Sequence, residues 1–195
     1  MIVAFTGAGI SRASGIPTFE ERPELRDDLI IDKWYREPEK VWASMQKLQE
    51  LIERSEPNPA HRALAEAGIP VVTQNIDSLH QRAGSEEVIE IHGHMREVVC
   101  TRCGYRAPFG KELMACPRDG RYLKPDIVFY GEDLQRWPDA VDLIERATTL
   151  LVIGTSLTVA PACYLPTMAA NKGARLVHIN RRAEEEVPRF LQGLA

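Results

Sequence analysis

The sequence predicts an α/β fold: a mainly parallel sheet with helices on both faces and one small inserted lobe. Three observations carry that expectation. Short apolar runs alternate with stretches of helical spacing, small or polar residues follow each run, and the alternation breaks down in one cysteine-bearing region. A chain of 195 residues can bury one good core with room for a small insert.

The first expected strand is residues 2–6, Ile-Val-Ala-Phe-Thr, which stops at Gly7-Ala8-Gly9. Trp42, Met45, Leu48 and Ile52 then recur every three or four residues and fall on one face of a helix. Asn58-Pro59 ahead of residues 61–67 reads as a helix start with proline in the first turn. Further strands are expected at 71–73, 88–91, 150–153 and 176–179, each brief, rich in β-branched residues and closed by a polar or glycine-bearing turn. Helical spacing returns at 140–147, 161–170 and 183–194. Strands that alternate with helices imply βαβ units and parallel pairing. Residues 100–125 break the rhythm, with three cysteines and little apolar periodicity. That stretch is expected to be a lobe held by something other than a core.

Composition narrows the function classes. The hydrophobic share of 44% and charged share of 27% are ordinary for a globular chain. A formal net charge of −4 gives no sign of a nucleic-acid surface. The apolar start lacks a basic leader and is interrupted by Gly7 and Gly9, and no run approaches the ~18 apolar residues of a membrane span. The four cysteines are therefore read as thiols or metal ligands, and the cytoplasm is the expected address.

Chemistry is expected where the strands end. Gly7-Ala8-Gly9-Ile10-Ser11 follows the first, Gln74-Asn75-Ile76-Asp77 the second, His92-Gly93 the third, Gly154-Thr155-Ser156 the fourth and Asn180 the fifth. In an open parallel sheet these turns gather at the carboxyl edge, where ligands bind. Gly7 and Gly9 would let backbone approach a phosphate, although glycines also serve plain strand-to-helix turns. The position of a third fingerprint glycine is Arg12, which disfavours a hydride-transferring dehydrogenase. His92 suits a general base and equally suits a satisfied histidine at a strand end; Asn75 and Asp77 suit Asx turns. A metal pair of His92 with His94 is conceivable, without a third ligand in view. Cys100 and Cys103 are spaced for one tetrahedral zinc, Cys116 follows, and Asp119 stands where a fourth cysteine would complete a ribbon. The alternative is a lobe that has lost its metal. Cys163 reads as a small buried thiol.

Taken together, these motifs, with Ser14-Gly15-Ile16-Pro17-Thr18-Phe19 and Leu157, Val159 and Pro161-Ala162, resemble the sirtuin family from Ile2 to about Asn180. The resemblance implies a Rossmann-like NAD-binding domain over 1–99 and 126–195, a zinc lobe at 100–125, and NAD-dependent removal of acyl groups from protein lysines. Gly7, Ala8, Gly9, Ser11 and Phe19 would line the cofactor entrance, with Phe19 on a mobile loop. Gln74 and Asn75 would hold the nicotinamide ribose, and Ile76 and Asp77 the carboxamide. His92 would act as base on the ribose hydroxyl, giving free lysine and O-acyl-ADP-ribose. Gly154, Thr155, Ser156 and Asn180 would bind the phosphates and adenosine ribose. Val128, Phe129 and Tyr130 would pair with the substrate backbone by strand addition. Met45 and Leu48, at positions facing the acyl group, argue for acetyl or longer aliphatic groups and against succinyl. Two departures stand out. Glu20 replaces the arginine that normally follows the loop phenylalanine, leaving Arg22 or Arg26 as substitutes, and 183–194 reads directly as a final helix, which puts adenine contacts in doubt. An ADP-ribosyltransferase, an NAD hydrolase or a non-catalytic nucleotide binder are the alternatives.

Overall fold

The computed structural model describes residues 1–18 and 20–194. Strand β1 (Ile2–Thr6) leads into a 3-10 segment at Ala8–Ser14, then α1 (Pro23–Asp27), α2 (Ile31–Arg36), α3 (Pro38–Arg54) and α4 (Pro59–Glu66). β2 (Val71–Thr73), α5 (Leu79–Arg82), β3 (Val88–Glu90), β4 (Gly93–Val99), β5 (Arg106–Pro108) and β6 (Lys124–Ile127) follow. The chain closes with α6 (Trp137–Glu145), β7 (Thr149–Ile153), α7 (Leu165–Asn171), β8 (Arg175–Ile179) and α8 (Ala183–Gln192).

All five strands expected from the apolar runs pair in one parallel sheet of order β3-β2-β1-β7-β8. Alternation along β1 sends Val3 and Phe5 to one face, against Leu143 and Ile144 of α6 and Leu165 of α7. Ala4 goes to the other, beside Leu64 of α4 and Val187 of α8. Helices therefore cover both faces, as a buried parallel sheet requires. Chain order reverses between β1 and β7, and this switch point at the carboxyl edge is where an open parallel sheet binds ligands.

The start of α4 is built by its sequence. Asn58 caps it, its side chain accepting from Ala60 N–H at 3.0 Å while His61 Nδ1 accepts from Asn58 N–H at 3.3 Å. The Asn58 amide then donates to Ile10 O at 2.7 Å and Ser14 Oγ at 3.0 Å, tying the helix to the loop after β1.

A second sheet, antiparallel and of order β5-β4-β6, carries the cysteine region. Here the expectation of a lobe without a core is corrected. Trp42 of α3 stacks on Phe109 with ring centroids 4.6 Å apart, and Cys100, Ala107, Cys116 and Leu123 are buried in the same apolar cluster as Met45, Leu48 and Ile52. Sequence periodicity misses this core because its partners, among them Val41, Trp42, Met45, Leu48 and Ile52 of α3, come from outside the lobe. Each large side chain removed from water contributes on the order of 1.5–3 kcal/mol. Among the described residues no helix is long and apolar enough to cross a membrane.

Candidate active site

Two loops form the floor of the crevice in direct backbone contact. Gly9 N–H donates to Gly154 O at 2.8 Å, and Gly7 N–H to Ile153 O at 3.0 Å. A Cβ on Gly9 would lie 2.7 Å from Gly154 Cα, and one on Gly154, whose φ is +60°, 2.3 Å from Ile10 N. These glycines are required by the approach of one loop to the other, before any ligand is considered.

The turn after β2 presents its polar side chains to the first of these loops. The buried Ser11 hydroxyl donates to Asp77 Oδ2 at 2.7 Å and accepts from Asn75 Nδ2 at 3.0 Å. Asp77 Oδ1 takes the N–H of Leu79 at 2.9 Å, and Asn75 N–H rests on Thr73 Oγ1 at 3.0 Å. Burial pushes the Asp77 carboxyl up from its ordinary value, opposed by the Leu79 and Ser11 bonds. Gln74 reaches across the crevice to Thr155 Oγ1 at 2.9 Å, and Thr155 N–H donates to Asn180 Oδ1 at 3.2 Å. The ends of β1, β2, β7 and β8 are thereby joined in one polar network.

His92 stands at the corner where the chain leaves the parallel sheet for β4. The corner depends on Gly93, with φ +74°, because a Cβ there would lie 2.1 Å from Asp126 O. His92 Nδ1 is 2.8 Å from the carbonyl of Gln74. A carbonyl only accepts, so Nδ1 carries the proton and the lone pair of the neutral ring is at Nε2. Burial lowers the His92 pKa, with the Gln74 carbonyl opposing, which keeps the ring neutral near pH 7. A half-buried, neutral imidazole with its far nitrogen available is suited to accept a proton.

Two hollows flank this network. One, about 470 Å³, is lined by Gly9, Arg12, Glu21, Asn180, Arg181 and Arg182 among others; a second, about 420 Å³, lies between α3 and the 76–78 turn, against Ile76 and Asp77. Both lie in the size range of small-molecule sites.

The structure brings Ser11, Gln74, Asn75, Asp77, His92, Thr155 and Asn180 together, with Gly7, Ala8, Gly9 and Gly154 in the loops beneath. Ser156 is exposed, its hydroxyl 3.1 Å from Thr158 Oγ1. Phe19 lies outside the described residues. Glu20 is exposed and does not line the 470 Å³ hollow; Arg26 lies over the Tyr130 ring at 5.5 Å. Met45 and Leu48 are buried in the cluster that also contains Phe129. The backbone of residues 128–130 is already engaged: Val128 N–H donates to His92 O at 2.8 Å, Tyr130 N–H to Leu29 O at 2.7 Å, and Tyr130 O accepts from Ile31 N–H. Cys163 is half-buried rather than buried.

Ligand atoms of Cys100, Cys103, Cys116 and Asp119 all lie within 4.8 Å of one another. Cys103 and Cys116 sulfurs are 3.6 Å apart, close to the about 3.8 Å expected for two thiolates on one tetrahedral zinc. The His92–His94 metal pair does not form. His94 Nε2 faces Asp126 and Glu97 at 3.8 and 3.9 Å, while His92 turns to Gln74; Arg106 pairs with both of those carboxylates.

Three groupings escaped the sequence. Arg96 holds the buried Glu90 with bonds of 2.8 and 2.6 Å, and both contact Ser78, a non-glycine residue at φ +56° beside Asp77. His80 Nε2 lies 3.0 Å from Thr6 Oγ1, which donates to Thr73 at 2.8 Å, and the His80 and His61 rings are 4.8 Å apart. Arg12 pairs with Glu21 at 2.6 Å. Threonines closing β1 and β2 were the available signal for the second; the others join residues with no shared motif.

Residues 7–161 match the Sir2 family model. The chain is 41% identical over 202 residues to an NAD-dependent protein deacylase of Thermococcus kodakarensis, covering 91% of this chain and 79% of that one. Its fold is similar to a Sir2 homolog–NAD complex, with TM-score 0.90, 33% identity, and coverage of 99% and 88%. It is also similar to Sir2Tm bound to a propionylated peptide, with TM-score 0.88, 33% identity, and coverage of 99% and 92%. With the polar network and the cysteine lobe in the places described above, and with a match that spans most of its length, the chain belongs to the Sir2 family.

Proposed function

We propose that this protein removes acyl groups from lysine side chains of proteins, consuming NAD and releasing nicotinamide and O-acyl-ADP-ribose. The observation that carries the reading is the fixed, neutral imidazole of His92 beside the Asn75–Ser11–Asp77 chain. The crevice fits the dinucleotide: small residues on its floor, arginines in one hollow, and a buried carboxylate by the other. NAD supplies an electrophilic ribose carbon and a leaving group in nicotinamide.

The chain's own residues do the rest. Gly7, Ala8, Gly9, Thr155, Ser156 and Asn180 hold the phosphate and adenosine end, while Gln74 and Asn75 orient the nicotinamide ribose. Ile76 and Asp77 hold the carboxamide, with Asp77 aimed by Ser11. His92 Nε2 takes the proton of the ribose hydroxyl, and the Gln74 carbonyl stabilises the charge left on the ring. Met45 and Leu48 make the acyl end apolar, which favours acetyl or longer aliphatic groups. For a substrate strand to add at residues 128–130, Tyr130 would exchange its bonds to Leu29 and Ile31 for bonds to the peptide.

Cys100, Cys103, Cys116 and Asp119 would hold a structural zinc, which supplies cross-linking rather than chemistry. Residues 1–99 and 126–195 would then serve NAD and 100–125 the metal. Free thiols suit the cytoplasm.

The test is a panel of acyl-lysine peptides with NAD, read by nicotinamide release and by mass of the acyl-ADP-ribose. Release is expected only with both substrates and should vanish in a folded His92→Ala. Release from NAD alone would favour a hydrolase, and undiminished turnover in His92→Ala would remove His92 from the reaction.

A further inference from the structure

The 470 Å³ hollow has a charge pattern to which no individual residue role has yet been assigned. A chain of net charge −4 places three arginines, Arg12, Arg181 and Arg182, on one hollow. Arg182 is held by Glu185, and Arg181 has no ion-pair partner among the described residues. Arg12 is held by Glu21, whose two oxygens have separate tasks. Oε2 accepts the N–H and hydroxyl of Thr18 at 2.9 and 3.2 Å and so ties Glu21 to Thr18; Oε1 takes Arg12 at 2.6 Å. Three guanidinium groups around a glycine-floored hollow are a recognition surface for a phosphate-bearing ligand, since the planar fork matches phosphate oxygens.

Resting on the NAD reading above, we infer that Arg12 is the charged contact for the pyrophosphate and that Glu21 keeps it in place until the ligand arrives. The pair is weak enough to exchange, because side chains of Arg12 and Glu21 are 61% and 41% exposed and water screens such pairs. Glu21 need not leave when Arg12 does, because Thr18 still holds its other oxygen. Arg12 therefore fills the place that Glu20, exposed and off the hollow, does not, and Arg26, occupied on Tyr130, is not required.

Titration calorimetry with ADP-ribose and with adenosine, on the unmodified protein, Arg12→Ala and Glu21→Gln, tests the inference. Arg12→Ala is expected to weaken ADP-ribose about tenfold, the loss of one charge-assisted phosphate contact. Glu21→Gln keeps the Thr18 bonds but no longer competes for Arg12, and should tighten ADP-ribose by about threefold. Adenosine, which lacks phosphate, should bind all three alike. In turnover, Arg12→Ala should raise the KM for NAD and leave kcat unchanged. If Arg12 and Glu21 merely brace the loop, both variants would shift ADP-ribose in the same direction, and adenosine with it; that result overturns the inference while the NAD reading stands. Failure of the unmodified protein to bind ADP-ribose would overturn the NAD reading itself and this inference with it.

Discussion

Acidification from pH 7 to pH 5 should destabilise the fold through a pair of imidazoles beneath the crevice. His61 and His80 are both buried, with ring centroids 4.8 Å apart. His61 Nε2 and His80 Nδ1 have no hydrogen-bond partner among the described residues. Burial, with Arg62 adding a smaller push, lowers the His61 pKa from 6.5 to about 4; burial and then the charge of His61 take His80 well below its ordinary value. The folded state therefore resists a proton that the unfolded chain accepts, so stability is intact above pH 6.5 and is lost as pH falls toward about 4. Falling from 6.5 to 5 at about 1.4 kcal/mol per unit, His61 alone costs about 2 kcal/mol, against a typical total of about 5–15 kcal/mol. His80 and His92 are shifted the same way and add to the loss; Asp77, raised by burial, works against it. The assay is the urea midpoint at pH 7, 6 and 5 for the unmodified protein and His61→Gln. Glutamine at the third helical position can still reach back to the Asn58 N–H, so the cap survives while the titration disappears. Identical pH slopes in the two proteins would refute the account.

Three further outcomes are expected. Gly154→Ala forces an αL alanine worth about 1–2 kcal/mol of strain and pushes its Cβ against Ile10 N, so melting temperature and NAD affinity should both fall; an unchanged KM for NAD would count against the loop contact. Arg96→Ala leaves Glu90 buried without its cation and should cost about 1–3 kcal/mol in urea unfolding, with slower turnover because Ser78 adjoins Asp77. Asp119→Cys completes a four-thiolate set, so zinc should pass more slowly to a chromogenic chelator; an unchanged rate would show that position 119 is not in the ligand set.

Much of the frame was legible because its signals are local. Each strand of the parallel sheet is a brief β-branched run, and Asn58-Pro59 announces its helix within two residues. The meeting of Ser11, Asn75 and Asp77 was legible only as a shared sheet edge, since the bonds join residues more than sixty apart. β6 escaped because three of its four buried residues are Lys124, Pro125 and Asp126, and β4 because its burial falls out of alternation between Met95 and Val98. His94 misled for a related reason: its neighbours Glu97 and Asp126 come together only when β4 and β6 pair. Arg12 was visible as a missing glycine, and its pairing with Glu21 depends on a loop conformation that no periodicity encodes.

The stack of Trp42 on Phe109 makes the cysteine lobe and α3, the helix proposed to face the acyl group, two sides of one apolar interior. Stripping a metal from the lobe would then be felt as a loosened grip on the acyl chain, while dinucleotide affinity, proposed to rest on the Gly7, Gly9 and Gly154 loops, would stay nearly intact. Chelators should therefore behave as slow inactivators whose onset follows ion departure, and raising NAD should offer no protection.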